Sequence, residues 1–288
     1  MKPPSVLFHL KSENHEVLIK TMGDLIFTKR NHLATITLNR PDYANAFSDD
    51  MIKNWLLALE EIRDNDDIYA AVLTGSGNAF CAGGDVTAMA EGEGFFFSEE
   101  DLSSTALARK NSLWKRIQRI PLTLEQIDKP IVAKINGAAF GAGLDMALMC
   151  DIRIASTKAK LSESYLRVGI LPGDGGTYFL PPLVRKDKAL DMFWTCKAVT
   201  GAEAEKIGLV TYAVDPEELD AFTDAYMQKL IEMPQQAVRF TKRAVMSHPG
   251  MTLRASLDMV SSSMGILTEL DDYKKLTARL SQGMKKKK

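Results

Sequence analysis

Gly77-Asn-Ala-Phe-Cys-Ala-Gly-Gly-Asp-Val86 and Asn136-Gly-Ala-Ala-Phe-Gly-Ala-Gly-Leu-Asp145 are the two stretches that decide how this chain reads. Each follows an apolar, strand-like run: Tyr69–Thr74 before the first and Pro130–Ile135 before the second. Each leads into a plausible helix start. A chain that twice runs strand, small-residue turn, helix presents bare backbone N–H groups at the positive end of a helix. Small side chains let a ligand oxygen approach those donors. Two such turns brought together would aim a pair of N–H groups at one oxygen, which is an oxyanion hole in outline.

Upstream, Leu25–Arg30 and Leu33–Leu38 are β-prone runs around Asn31-His32 and read as an antiparallel hairpin. Pro41 ends the second strand, because it has no ladder donor. Ser48 is a good N-cap, with Asp49 and Asp50 in the first turn. Met51, Ile52, Trp55, Leu56, Leu59 and Ile62 then mark one face of a helix to about Arg63. Between the two loops, a helix is expected from about Leu102 to Ile120, interrupted by Pro121. Phe95-Phe96-Phe97 is read as packing of a variable loop or as the wall of an acyl pocket.

Downstream, a strand is expected at Asp151–Ala155, and Gly175 and Gly176 open a further helix. Helix 187–196 follows. Thr200 with Glu203 forms a capping box, and Leu209–Val214 reads as a short strand. From Pro216 the pattern is helical, over 217–232, 235–247 and 252–280. Residues 1–24 show no clear period and read as a loosely ordered extension. Strand–helix units followed by helices give an α/β core with a helical C-terminal annex. Periodicity alone does not separate a spiral from a doubly wound sheet.

Bulk properties narrow the function. The chain has 288 residues, 45% hydrophobic and 25% charged, with formal net charge −1. No basic excess argues for nucleic acid as the partner. No apolar run approaches the roughly 20 residues of a membrane span. Three scattered cysteines, Cys81, Cys150 and Cys196, give neither a disulfide frame nor a zinc site, so a reduced, cytoplasmic protein without a metal is expected. Cys81 lies in the first loop but has no histidine near it in sequence, and reads as a small buried filler. Lys285–Lys288 reads as a solvated tail.

The loops, together with Asn39-Arg40-Pro41, Asn45-Ala46-Phe47, Leu73-Thr74-Gly75, Cys150–Ala155 and Gly173-Asp174-Gly175-Gly176, resemble the crotonase (enoyl-CoA hydratase/isomerase) superfamily from about Leu25 to Leu280. Any one segment is weak; their order is a strong family signal. The resemblance implies a core of repeated ββα units wound as a spiral over 25–214. It further implies a C-terminal helical oligomerisation region over 215–284, after the extension 1–24 and before the tail 285–288. It implies a homotrimer or a dimer of trimers, and coenzyme A as part of the substrate with no separate cofactor.

The resemblance also implies site residues. The oxyanion donors fall on Gly84 and Ala142. Asp145 stands where family hydratases carry a catalytic glutamate; being three residues after Ala142 on a helix, it should share its face and overlook the bound carbonyl. The family's second glutamate falls on Tyr165, a departure, since a phenol can position water but is not a carboxylate base. Asp174, in the loop where isomerase members carry an acid, is the second catalytic candidate. Two aspartates facing one cavity would raise one apparent pKa. Implied CoA contacts are Ala44, Ala82, Gly84, Asp85, Val86 and Thr87, with Arg40 as a phosphate partner. The expected activity is hydration of a 2-enoyl-CoA. The alternatives are a double-bond shift, other thioester chemistry, or a catalytically impaired CoA-binding oligomer.

Overall fold

The computed structural model describes residues 6–12, 15–91 and 106–285; Phe95–Phe97 and Lys286–Lys288 lie outside them. The chain opens on β1 (Val6–Ser12) and β2 (His15–Met22). β3 (Leu25–Arg30) and β4 (Leu33–Leu38) follow as the expected hairpin, with Asn31 and His32 at φ 49° and 67° in its turn. Residues read from sequence as loosely ordered thus extend the sheet, because β2 pairs with β3 from Val17↔Arg30 to Met22↔Leu25. Backbone pairing onto a formed edge supplies what a weak side-chain period does not announce.

α1 (Asp49–Asp64) is capped by the Ser48 hydroxyl, which accepts from the Met51 N–H, and buries Met51, Ile52, Trp55, Ala58, Leu59 and Ile62. Each large apolar side chain taken from water contributes about 1.5–3 kcal/mol. Next come β5 (Ala70–Gly75), β6 (Ala79–Cys81), α2 (Val86–Ala90), α3 (Ala106–Lys115) and α4 (Arg119–Glu125). Pro121 does not end a helix, as expected from sequence; it sits in the first turn of α4, where its missing N–H has no helical acceptor to lose. The break lies at residues 116–118 instead.

β7 (Ile131–Ile135), β8 (Ala138–Phe140) and α5 (Ala142–Leu148) repeat the pattern of β5, β6 and α2. β9 (Ile152–Ser156) and β10 (Lys160–Ser162) begin a third round, closed by a 3-10 turn at Ser164–Val168. In each round the first strand joins one sheet and the second strand joins another. The large sheet has the order β1-β2-β3-β4-β5-β7-β9-β12, where β12 is Tyr212–Val214. The small sheet runs β11-β10-β8-β6, where β11 is Val199–Thr200. From β4 to β12 the large-sheet neighbours are parallel. This is the ββα spiral, and a doubly wound sheet is excluded. Its repeat is structural and not visible as sequence identity.

The small sheet positions the site. Cys81 pairs with Ala139, Ala139 with Leu161, and Phe140 with Ser162. The segments after β6, β8 and β10 therefore leave adjacent strands at the same edge. The main core lies between the two sheets and α1, while Ala70, Val72, Val132 and Ile154 on the far face of the large sheet pack under α9 (Leu219–Ile231).

α6 (Gly176–Val184), α7 (Lys186–Thr195) and α8 (Gly201–Lys206) precede α9, and α8 carries the Thr200–Glu203 capping box. α10 (Gln235–Ser247) buries no residue; it docks through Arg239 and Arg243 on Asp128 and Lys242 on Asp151. The helix expected over 252–280 is two, α11 (Leu253–Glu269) and α12 (Asp271–Lys285), because Leu270 is extended and Asp271 and Asp272 start a new first turn. Leu253, Leu257, Met264 and Ile266 of α11 are exposed. No helix among the described residues is long and apolar enough to cross a membrane.

Candidate active site

The first loop is held from behind. Asn45 is fully buried, and its amide nitrogen donates to the carbonyls of Ser76 and Ala79 at 2.9 Å. Ala82 N–H donates to Ala44 O at 2.9 Å and Phe47 N–H to Gly83 O at 2.8 Å. Asp85 caps α2 by accepting from Ala88 N–H, and Arg40 Nη1 holds its other oxygen at 2.8 Å. The second loop is anchored by Gly141 N–H on Ser162 O at 2.8 Å.

The loops touch because two glycines have no Cβ. A Cβ on Gly143 would stand 2.1 Å from Cys81 O, and one on Gly83 would stand 2.6 Å from Phe140 O and 3.0 Å from Ala142 N. The Ala142 nitrogen thus lies against the Gly83–Gly84 peptide region. Gly84 and Ala142 both line one cavity of about 780 Å³, and no hydrogen bond among the described residues engages either N–H. The rest of that wall is mostly apolar, with Leu113, Trp114, Leu122, Phe140 and Ile170 among its residues.

Tyr165 and Asp174 stand on the same wall. The Tyr165 hydroxyl lies 2.6 Å from Asp145 Oδ2 and 2.9 Å from Asp174 Oδ2. The spacing of Asp145 after Ala142 suggested a carboxylate facing the cavity, and the structure places it behind the wall. It is fully buried, absent from the cavity wall, and screened from it by Tyr165. The reason is the packing of α5, all of whose residues are buried, so that the carboxylate one turn on from Ala142 points toward the start of α6. A Cβ on Gly176 would stand 2.2 Å from Asp145 Oδ1, so the second glycine of Gly175-Gly176 is where this carboxylate fits.

Burial, with the neighbouring Asp145 charge adding to it, pushes Asp174 up to about 7, against the lowering effect of the Tyr165 hydroxyl. Burial likewise pushes Asp145 up to about 6, opposed by the Tyr165 hydroxyl and the backbone N–H groups of Gly176 and Asp174. Glu163 is also fully buried beside Asp145, and burial and that neighbour drive its carboxyl well above the ordinary range. Among the described residues, neither Glu163 oxygen has a hydrogen-bond partner, and neither does Asp145 Oδ1 or Asp174 Oδ1. Three buried carboxyls around one phenol cannot all be charged.

Of the residues expected to hold coenzyme A, Ala82, Gly84, Val86 and Tyr165 line the cavity, whereas Arg40, Ala44, Asp85 and Thr87 do not. Arg40 is engaged by Asp85 and stacks over the Tyr43 ring at 3.9 Å. Cys81 is inert: burial pushes its thiol up to about 12. The bridging of two aspartates by Tyr165 had no signal in the sequence, because the three residues come from separate elements. Asp145 and Tyr165 are 20 positions apart.

The profile of the enoyl-CoA hydratase/isomerase family matches residues 28–280. The YngF protein of Bacillus subtilis is 40% identical over 201 residues, covering 69% of this chain and 72% of its own. A short-chain-enoyl-CoA hydratase of Clostridium acetobutylicum is 31% identical, covering 88% and 92%. A crotonyl-CoA hydratase of Syntrophomonas wolfei is 30% identical, covering 90% and 95%. Among solved structures, an enoyl-CoA hydratase from Bacillus anthracis superposes with a TM-score of 0.80 at 26% identity, over 90% of this chain and 96% of that one.

Proposed function

Because the chain belongs to the enoyl-CoA hydratase/isomerase family, we propose that it hydrates a 2-enoyl-CoA with Asp174 as the acid–base residue and Gly84 and Ala142 as the oxyanion donors. The observation that carries this reading is the pair of unpaired N–H groups on the cavity wall that also bears Asp174 and Tyr165. The thioester carbonyl takes both N–H groups. Its enolate, which forms as water adds to the β-carbon, is stabilised by them; one such donor contributes about 3 kcal/mol to lowering the barrier. Asp174, ionised, removes a proton from the attacking water and returns one to the α-carbon. Tyr165 orients the carboxylate and the water. Coenzyme A is held along Ala82, Gly84 and Val86.

Asp145, expected as a catalytic base, is removed from the substrate by Tyr165 and serves behind it. One observation favours a second reading: Asp174 is the one carboxyl among the described residues on the cavity wall. A single carboxylate suffices to carry a proton between two carbons, as in a double-bond shift. Loss of enoyl absorbance on incubation with crotonyl-CoA supports hydration. No loss there, with conversion of a 3-enoyl-CoA, selects the shift. Turnover of neither removes both and leaves the CoA-binding oligomer.

We also infer a homotrimer or dimer of trimers built on the exposed apolar residues of α11 and α12; a monomeric sedimentation coefficient would oppose it. The three cysteines are free and buried, which fits a reducing compartment, and we assign the protein to the cytoplasm.

A further inference from the structure

A phenol has one hydrogen, and Tyr165 faces two carboxylate oxygens at hydrogen-bond distance, Asp145 Oδ2 and Asp174 Oδ2. It can donate to one of them only. The other contact is a hydrogen bond only if that carboxyl carries a proton and donates to the phenol oxygen. One acid proton on the pair Asp145–Asp174, with Tyr165 between them, makes both contacts hydrogen bonds. Two arrangements satisfy it. In one, Asp174 is protonated, donates to Tyr165, and Tyr165 donates to Asp145. In the other, Asp145 is protonated, donates to Tyr165, and Tyr165 donates to Asp174.

We propose that Asp145 is a positioning residue that stores the proton of Asp174, the two exchanging it through the Tyr165 phenol. The exchange balances: the Asp174 Oδ2 proton passes to the Tyr165 oxygen as the Tyr165 hydrogen passes to Asp145 Oδ2. Charge and hydrogen count stay constant, and Asp174 changes from acid to base with no proton drawn from solvent.

Arg167 lines the same cavity as Asp174, with its Nη2 donating to Cys196 O at 3.1 Å. Glu163 lies beside Asp145, with Cys196 beyond it, and both are buried. The N–H groups of Asp174 and Gly176 approach Asp145 from the start of α6. None of the ion pairs among the described residues includes Asp145, Glu163 or Asp174. With no ion pair among the described residues to hold two negative charges, a shared proton is the arrangement that leaves the fewest uncompensated charges. Burial, with the charges of Asp145 and Asp174 adding to it, pushes the Glu163 carboxyl well above its ordinary range.

The role assigned to Asp174 rests on the proposed acid–base reading, so the test uses readouts that need no turnover. Difference infrared spectra, with Asp174→Asn as the subtraction, follow the protonated Asp174 carboxyl against pH. Wild type should lose that band near pH 7. Asp145→Asn, which removes the neighbouring charge, should lower the midpoint by about one pH unit or more. Tyr165→Phe, which removes the donor to ionised Asp174, should raise it. Carbon NMR of the wild-type Tyr165 ring, which requires no substitution at Asp145, should show the same midpoint as the Asp174 carboxyl. An Asp174 midpoint unmoved by Asp145→Asn, or a Tyr165 signal that ignores the Asp174 titration, overturns the proposal. Absence of turnover on every enoyl-CoA removes the hydratase reading alone and leaves these titrations interpretable.

Discussion

Gly143→Ala should disable the site while leaving every acid–base residue in place. The added Cβ would stand 2.1 Å from Cys81 O, 2.7 Å from Cys81 C and 2.8 Å from Cys81 Cβ. Two of those atoms are backbone, so no side-chain rotation relieves the contact. An ordinary C···O contact is about 3.3 Å, close to the lower end of carbon–oxygen approach in proteins, so the two loops must separate by roughly 1 Å. Gly84 and Ala142 belong to these two loops, so the spacing of the proposed donor pair would be lost. A displacement of that size at a reacting centre costs about 100-fold in rate. Forcing a methyl into a packed interior costs about 1–3 kcal/mol of stability. The assay is kcat and KM on crotonyl-CoA, with thermal unfolding in parallel. Gly250→Ala, where an added Cβ meets nothing within 4 Å, is the control and should leave both unchanged. If Gly143→Ala folds and keeps wild-type kcat, the N–H pair does not stabilise the enolate and the oxyanion argument is wrong.

Asp174→Asn should lower kcat by about 10²–10⁴-fold, the usual contribution of a general base. It should also raise stability at alkaline pH. Asp174 has a folded-state pKa of about 7 against the ordinary 3.8, so its contribution is fully present below pH 3.8 and is lost as pH rises through 7. Above that, the buried charge costs up to about 4 kcal/mol, at 1.36 kcal/mol per pKa unit; urea unfolding of both proteins at pH 5 and pH 8 reads the difference. The same pKa places the acid limb of the wild-type kcat profile near pH 7, with activity rising as Asp174 ionises. Gly176→Ala puts a Cβ 2.2 Å from Asp145 Oδ1, and should displace that limb as well as lower the melting temperature. Lys129→Met should lower stability by about 3 kcal/mol with kcat kept, measured by urea unfolding. The Lys129 ammonium is buried and donates to Ile62 O and Asn65 O at 2.7 Å, and a buried carbonyl left without a donor costs about 1–3 kcal/mol.

The local elements were legible because each carries its own chemistry. Ser48 ahead of two aspartates, Thr200 three before Glu203, and the Asn31-His32 turn are settled by a few adjacent residues, and all stand where the sequence puts them. Helix ends governed by longer-range packing were not. Pro121 sits in the first turn of a helix where the sequence reads an interruption, and Leu270 divides one that reads as continuous. Strands β1 and β2, at one end of the large sheet, owe their place to a partner, which their own pattern does not display.

What the sequence determined by itself was the pair of small-residue loops and, by their order among the other motifs, the spiral core and the thioester chemistry that goes with it. Only a glycine tolerates the approach of Gly143 to Cys81 O, so that residue is a direct imprint of the contact. What the tertiary structure decided was which acid lines the cavity. Asp145, Tyr165 and Asp174 leave α5, the turn after β10 and the start of α6, and their meeting depends on the small-sheet register Phe140↔Ser162 and on the burial of α5. A hydrogen bond between side chains on separate elements leaves no local pattern, because each residue's neighbours in the chain are chosen for packing and not for the bond.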